Sequence, residues 1–324
     1  MTERRALVGW RAPRWLPGGN LQTIWPALLS RRPPAIAWRR ERWDTPDGDF
    51  VDVDFADASA ATAPALVLLH GLEGSSRSHY ALAFAHWARR AGWRFAVPHW
   101  RGCSGEPNRL PRAYHSGDYP EVAWLMERLR AWAGVPLYVV GVSLGGNALL
   151  LWAGEAGAEA STRVRALASI SAPLDLAAGG RAIDSGVNRI VYAGMFLHTM
   201  KAKALAKLAQ YPGLFDRERM LGVRTLHEFD NLYTAPLHGF RDADDYWARA
   251  SAKPHLPRIR VPTLALNARN DPFVPLASLP RQGSEFITLW QPAHGGHVGF
   301  PGGAFPGHLM TLPDAVMGWM RRIA

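Results

Sequence analysis

Cysteine is almost absent from this chain. Cys103 is the only one in 324 residues, so no disulfide can form within the chain and no cysteine-rich metal site can be built. Long apolar runs are missing as well. No stretch reaches the roughly 18 residues of a spanning-helix candidate, so no transmembrane segment is expected. Met1 to Trp10 carry arginines but no apolar core of signal-peptide length, which makes the cytoplasm the expected location. The 12 histidines are scattered without metal-ligand spacing, His-Glu-x-x-His does not occur, and no Gly-rich phosphate loop of the Walker type is present. Neither a metal nor a cofactor is expected.

Acidic residues are in deficit, 27 against 37 lysines and arginines, giving a net charge of +10. Such a balance suits nucleic acid, an anionic membrane surface or acidic substrates. No nucleic-acid motif accompanies it, and the arginines are spread along the chain. A solvated arginine-rich surface is the expectation, with no nucleic-acid partner and with a peripheral membrane contact left open. The oligomeric state is not legible. Tryptophan, by contrast, is abundant at 14 residues. Trp10, Trp15, Trp25 and Trp38 sit in a Pro-rich leader, where they read as core packing or as an amphipathic rim.

Hydrophobic residues make up 48% and charged residues 20%, as in ordinary globular proteins. The length suits one large α/β domain with an insertion, or two small domains. Residues 1–35 read as an irregular leader with short helical turns, broken by prolines. A hairpin follows, with strands at 36–43 and 50–55 around a turn rich in Asp, Pro and Gly. Val51, Val53 and Phe55 alternate with Asp52 and Asp54, the pattern of a half-buried edge strand. Apolar runs at 65–69, 93–98, 137–142 and 164–170 alternate with helical stretches at 79–90 and 119–132. This is the signature of a doubly wound parallel sheet, with ligands at the carboxyl ends of its strands. The alternation stops for about 80 residues, too long for a plain connection, and resumes with strands at 262–266 and 286–290 and a helix at 307–322. Residues 177–257 therefore read as a helical cap inserted into a core formed by 36–176 and 258–324. Tyr192 to Gln210 reads as helical, with Lys201, Lys203 and Lys207 outward and Met195, Phe196 and Leu197 expected to line an acyl pocket.

The chemistry centres on Leu137 to Asn147, where a short apolar run leads into Gly141-Val142-Ser143-Leu144-Gly145 and then a second apolar run. Strand, tight serine-bearing turn and helix form a nucleophile elbow. The glycines allow the sharp bend, and the helix start aims N–H groups at whatever sits on the hydroxyl. A serine hydroxyl needs a base, and the base needs an orienting group. On this fold the acid and then the base follow the serine in the chain. Asp271 follows one strand and Asp175 another, and both remain candidates for the acid. His294 and His297 follow the last strand, and spacing does not choose between them. The oxyanion calls for preorganised N–H donors. Leu144, after the nucleophile, and Leu72, in the loop after the third strand, are the candidates. His70 reads as a structural histidine of that loop and Cys103 as a packing residue.

Several stretches resemble one family as a set. They are Asn20-Leu21-Gln22-Thr23, His70-Gly71-Leu72-Glu73-Gly74, Arg101 to Asn108, Tyr114-His115-Ser116-Gly117, Gly141 to Asn147, Asn270-Asp271-Pro272-Phe273 and His294 to Phe300. The chain is similar to the YheT-like branch of the α/β-hydrolase superfamily, the bacterial relatives of animal ABHD esterases and lipases. The resemblance implies an α/β-hydrolase fold and carboxylic ester hydrolysis. It also implies Ser143 as nucleophile, Asp271 as acid and His297 as base, the histidine being the one in Gly-Gly-His-x-Gly-Phe. In the leader, Gly19-Asn20-Leu21 stands where relatives carry a histidine before the leucine, so the leader is expected only to pack. The leading expectation is a serine hydrolase for small esters with short or medium acyl chains. The alternatives are an acyltransferase using the same acyl-enzyme, and a non-catalytic binding protein on this fold.

Overall fold

The computed structural model describes residues 10–58, 60 and 62–323. Its centre is one eight-stranded sheet: β1 (Arg39–Asp44), β2 (Phe50–Ala56), β3 (Ala65–Leu69), β4 (Arg94–Pro98), β5 (Leu137–Val142), β6 (Val164–Ile170), β7 (Thr263–Leu266) and β8 (Ile287–Trp290). The spatial order is β1-β2-β4-β3-β5-β6-β7-β8. The β1–β2 and β2–β4 pairs are antiparallel, and every later pair is parallel.

Continuous apolar runs make the central strands because both faces of a parallel sheet are covered. Ala65, Val67 and Leu69 of β3 enter one core cluster, and Leu66 and Leu68 enter the other. Helices Tyr119–Ala133 and Leu144–Ala156 cover the first face. His79–Ala91 and Thr311–Ile323 cover the second. The last helix starts later than its pattern suggests because the preceding chain pairs instead: His308 bridges both Gly302 and Arg31.

Between β6 and β7 run helices and turns with a buried cluster of their own, including Leu197, Phe229, Tyr246 and Trp247. Its main helix, Gly194–Gln210, is preceded by a π-helical turn at Arg189–Ala193.

Three local expectations are corrected. β2 is not an edge strand. It lies between β1 and β4, and Asp52 and Asp54 are buried. The arginines of β1 cover that face: Arg42 grips Asp52 at 2.7 and 2.9 Å, and Arg40 grips Asp54 at the same distances. His99 and Ser76 also bind Asp54. The leader holds more than short helical turns, because Gly18–Leu28 is an eleven-residue helix. Lys203 and Lys207 point inward. Lys203 reaches Glu73 and Cys103, and Lys207 is buried against the carbonyl of Asn108. Lys201 donates to the Leu221 carbonyl at the surface.

Candidate active site

Ser143 sits between β5 and helix Leu144–Ala156 with φ 54° and ψ −119°, a conformation that costs a non-glycine residue energy and persists only under tight constraint. The flanking glycines supply that constraint. A Cβ on Gly141 would stand 2.5 Å from the Gly145 carbonyl oxygen, and one on Gly145 would stand 2.4 Å from that of Leu69. Only bare backbone lets the elbow press this closely onto β3. The Ser143 N–H is held by the carbonyl of Ile170 at 2.8 Å. Asn147, one turn into the helix, donates to the carbonyls of Ser116 and Ala250 and accepts from the Ala252 N–H. It thereby ties the elbow to the chain returning from the helical segment.

Asp271 follows β7. Its Oδ1 accepts from the N–H groups of Phe273 and Val274, and its Oδ2 meets His297 Nδ1 at 2.9 Å. Both side chains are nearly buried. This contact puts the imidazole proton on Nδ1 and leaves Nε2 as the acceptor. The ring of Phe273 lies against His297 at 4.4 Å between centroids. Asp175 is elsewhere occupied: it caps helix Leu176–Ile183 by accepting from the Ala178 N–H at 3.0 Å. His294, the other histidine of the pair, is exposed.

The leader helix does more than pack, because it anchors the loop that carries His297. Gln22 Oε1 accepts from the Gly295 N–H and from Asn270 Nδ2, both at 2.9 Å. Thr23 Oγ1 accepts from the His297 N–H at 2.8 Å. Asn270 Oδ1 in turn accepts from the Gly296 N–H, and Ser171 Oγ accepts from that of Val298. The Asp271 loop, the His297 loop and the leader helix thus form one network.

On the opposite side, the loop after β3 passes directly over Ser143. A Cβ on Gly71 would lie 3.1 Å from the Ser143 Cβ. Leu72 and Leu144 both line the cavity beside Ser143. His70 fixes this loop from within. Its Nε2 accepts from the Trp100 N–H, its Nδ1 donates to the Gly71 carbonyl, and the Trp100 indole donates to the His70 carbonyl. Burial lowers its pKa to about 3, so the ring is neutral. Glu73, next to Leu72, has φ 56° and receives hydrogen bonds from Tyr114 at 2.7 Å and Lys203 at 2.9 Å. Burial works against the Lys203 charge, but Cys103 and Glu73 raise its pKa overall. Burial pushes the Cys103 thiol up to about 11, so it stands there as a neutral wall.

Ser143, His297, Leu72 and Leu144 line one cavity of about 530 Å³. Its apolar side comes from the helical segment, with Ile183, Phe196, Met200, Phe229 and Trp247. Of the three residues expected there, only Phe196 lines it. Leu197 faces the segment's own core and Met195 faces solvent. Among the described residues no group of three or more His, Cys, Asp or Glu side chains could hold a metal, and no helix is long and apolar enough to cross a membrane.

A family model described as alpha/beta hydrolase fold matches residues 64–304. Over 308 residues the chain is 40% identical to YheT, a provisionally named esterase of Escherichia coli (strain K12), covering 93% of this chain and 89% of that one. It is 28% identical over 296 residues to a mouse protein named phospholipase ABHD3, covering 88% and 71%. It is 29% identical over 274 residues to a monoacylglycerol lipase of Saccharomyces cerevisiae, covering 81% and 59%. Among solved structures, Est1E from Butyrivibrio proteoclasticus with bound ferulic acid superposes with a TM-score of 0.55 at 15% identity, covering 87% and 98%; at that identity the likeness concerns the fold alone. Sheet, elbow and family match together define an α/β hydrolase. Within that class, the chain belongs to the YheT-like family. Its esterase- and lipase-type relatives make it a hydrolase, with small-molecule esters as the implied substrates.

Proposed function

We propose that the protein is a serine carboxylesterase working through an acyl-enzyme, with Ser143 as nucleophile, His297 as base and Asp271 as the group that orients the base. The observation that carries this reading is the 2.9 Å contact between His297 Nδ1 and Asp271, on a ring that shares the cavity wall with Ser143. His297 Nε2 takes the serine proton as Oγ attacks the ester carbonyl. The N–H groups of Leu144 and Leu72 receive the oxyanion. The tetrahedral intermediate collapses, and the alcohol leaves with the proton from His297. Water, activated by the same ring, then releases the acid. The helical segment 177–257 acts as a cap that closes the acyl side of the cavity. A volume of about 530 Å³, shared by both halves of an ester, suits short to medium acyl chains.

A fluorophosphonate probe with intact-protein mass spectrometry tests the reading. One adduct is expected, mapped by peptide sequencing to Ser143 and lost in Ser143→Ala together with hydrolysis of p-nitrophenyl esters. Persistent hydrolysis by a folded Ser143→Ala variant would remove Ser143 from the role.

A further inference from the structure

The segment that covers the cavity wears a second apolar stripe on its outside. Val187, Ile190, Val191 and Met195 recur at helical spacing across the short helix Gly186–Asn188, the π-helical turn and the start of Gly194–Gln210. All are exposed, Val187 at 66% and Ile190 at 79%. The wide turn produces this arrangement: it sends Ile190 and Val191 outward while Tyr192 and Ala193 are buried. Chains seldom leave four aliphatic side chains in one exposed row without a use for them.

The stripe does not stand alone. Tyr192 donates to Asn20 Oδ1 at 2.9 Å, so the π-helical turn rests on the leader helix. Ile24 packs with Tyr192 and Phe273 beneath that junction. Leu21 and Leu28, on the same stripe of the leader helix, remain exposed, Leu28 at 67%. The two segments, each with exposed aliphatic side chains, thus meet at the Tyr192–Asn20 contact. At the leader end, Trp15, Trp25 and Phe305 stack edge-on at 5.3–5.5 Å, and the Trp25 indole donates to the Pro306 carbonyl.

Cations fringe both segments. Arg14, Arg31, Arg32 and Arg189 are exposed. Arg31 and Arg32 donate to the backbone carbonyls of Phe305 and Ala27, which anchors the guanidinium groups without neutralising them. Aliphatic side chains flanked by tryptophan and arginine match the layers of a bilayer interface: acyl chains, then the carbonyl belt, then anionic headgroups. The net charge of +10 favours the same partner at longer range.

We propose that this face, built from the outer stripe of 187–195 and the leader helix, docks the protein on an anionic lipid surface. Phe196 and Ile183, immediately inside the stripe, line the cavity, so docking sets the cavity wall against the bilayer. The proposal concerns binding and stands apart from the assignment of the catalytic residues.

Co-sedimentation of the full chain with vesicles tests it, using phosphatidylcholine alone and phosphatidylcholine mixed with phosphatidylglycerol. Binding is expected to the mixed vesicles and to weaken with salt. The triple variant Val187→Ser, Ile190→Ser, Val191→Ser should bind them at least about tenfold more weakly. Arg31→Glu with Arg32→Glu should lose about fivefold per arginine on the anionic vesicles. Turnover of a water-soluble p-nitrophenyl ester should not change in either variant, which also shows that both fold. If the triple variant does not fold, the single change Ile190→Glu supplies the comparison. Absence of vesicle binding, or equal binding by wild type and variants, would overturn the proposal. So would a concentration-dependent dimer in sedimentation equilibrium that Ile190→Glu abolishes, since a second copy would then own the face.

Discussion

Asp271 and Asp175 look alike in sequence, each an aspartate shortly after a strand, and the structure separates them by what they accept. Asp271 takes two backbone N–H groups on one oxygen and His297 on the other. Asp175 takes the Ala178 N–H and closes a helix end. The difference is invisible in spacing because it depends on a loop 26 residues beyond Asp271 folding back onto it. The elbow at Ser143 was legible because its requirement is local: glycines on both sides, a strand before and a helix after. Asp271→Asn should lower kcat by about 10⁴ with little change in stability, by analogy with the serine-protease aspartate. Asp175→Asn should keep its activity, since asparagine caps helices about as well as aspartate. Steady-state kinetics on both variants checks the pair, and the opposite ranking would move the acid to Asp175. His294→Ala should also stay close to wild type.

At the scale of elements, the parallel strands and their covering helices followed from apolar runs, whose boundaries were read to within a few residues. The failures share one cause. The burial of Asp52 and Asp54 depends on Arg40 and Arg42 of the neighbouring strand, and the role of the leader helix depends on loops some 250 residues away. Neither partner leaves a mark in the local pattern. Glycines on both sides make the leader's fit close: a Cβ on Gly299 of the His297 loop would stand 2.0 Å from the Gln22 carbonyl oxygen, and one on Gly19 of the leader helix would stand 1.9 Å from that of Asn270. Gly299→Ala should therefore push the leader helix away from the His297 loop. Gln22→Ala should leave the Gly295 N–H and Asn270 Nδ2 without their acceptor, at about 1–3 kcal/mol. Both variants should lose kcat more than they raise KM while far-UV circular dichroism stays unchanged. A variant of either kind with normal kcat would reduce the leader helix to packing.

Over the whole molecule, buried rings set the response to acid. Burial lowers the pKa of His70 and His238 to about 3 and that of His79 and His115 to about 4. Near neutral pH these rings are uncharged in both the folded and the unfolded chain. Below about 6.5 the unfolded chain binds protons that the folded rings refuse, so stability falls from there down to the folded values. Asp230 and Glu121 act in the other direction. Burial raises them to about 6 and about 7, so the fold keeps their protons where the unfolded chain has released them. Burial raises Asp184 as well, so the four rings outnumber three carboxyls and leave a net loss on acidification, about 1.4 kcal/mol per pH unit for each unbalanced proton. Asp54 adds to the loss only under stronger acid. Burial would raise its pKa, but Arg40, His99 and Ser76 hold it well below the ordinary carboxylate range. The melting temperature should drop between pH 6.5 and 4.5 in scanning calorimetry. A flat or rising profile would show that these rings titrate as they do in water.

The network that joins Gln22 and Thr23 to Asn270, Gly295 and His297 also has a meaning in time. A chain leaving the ribosome would show its helix at 18–28 early and its serine turn midway, while the imidazole was still to be made. Each half would wait unmatched, the helix without the loops it clasps and Ser143 without the histidine proposed as its base. Hydrolytic capacity would then arrive in a single late step, when the 295–297 loop closes onto the helix, and an interrupted translation product would carry the sheet and the serine but no working enzyme.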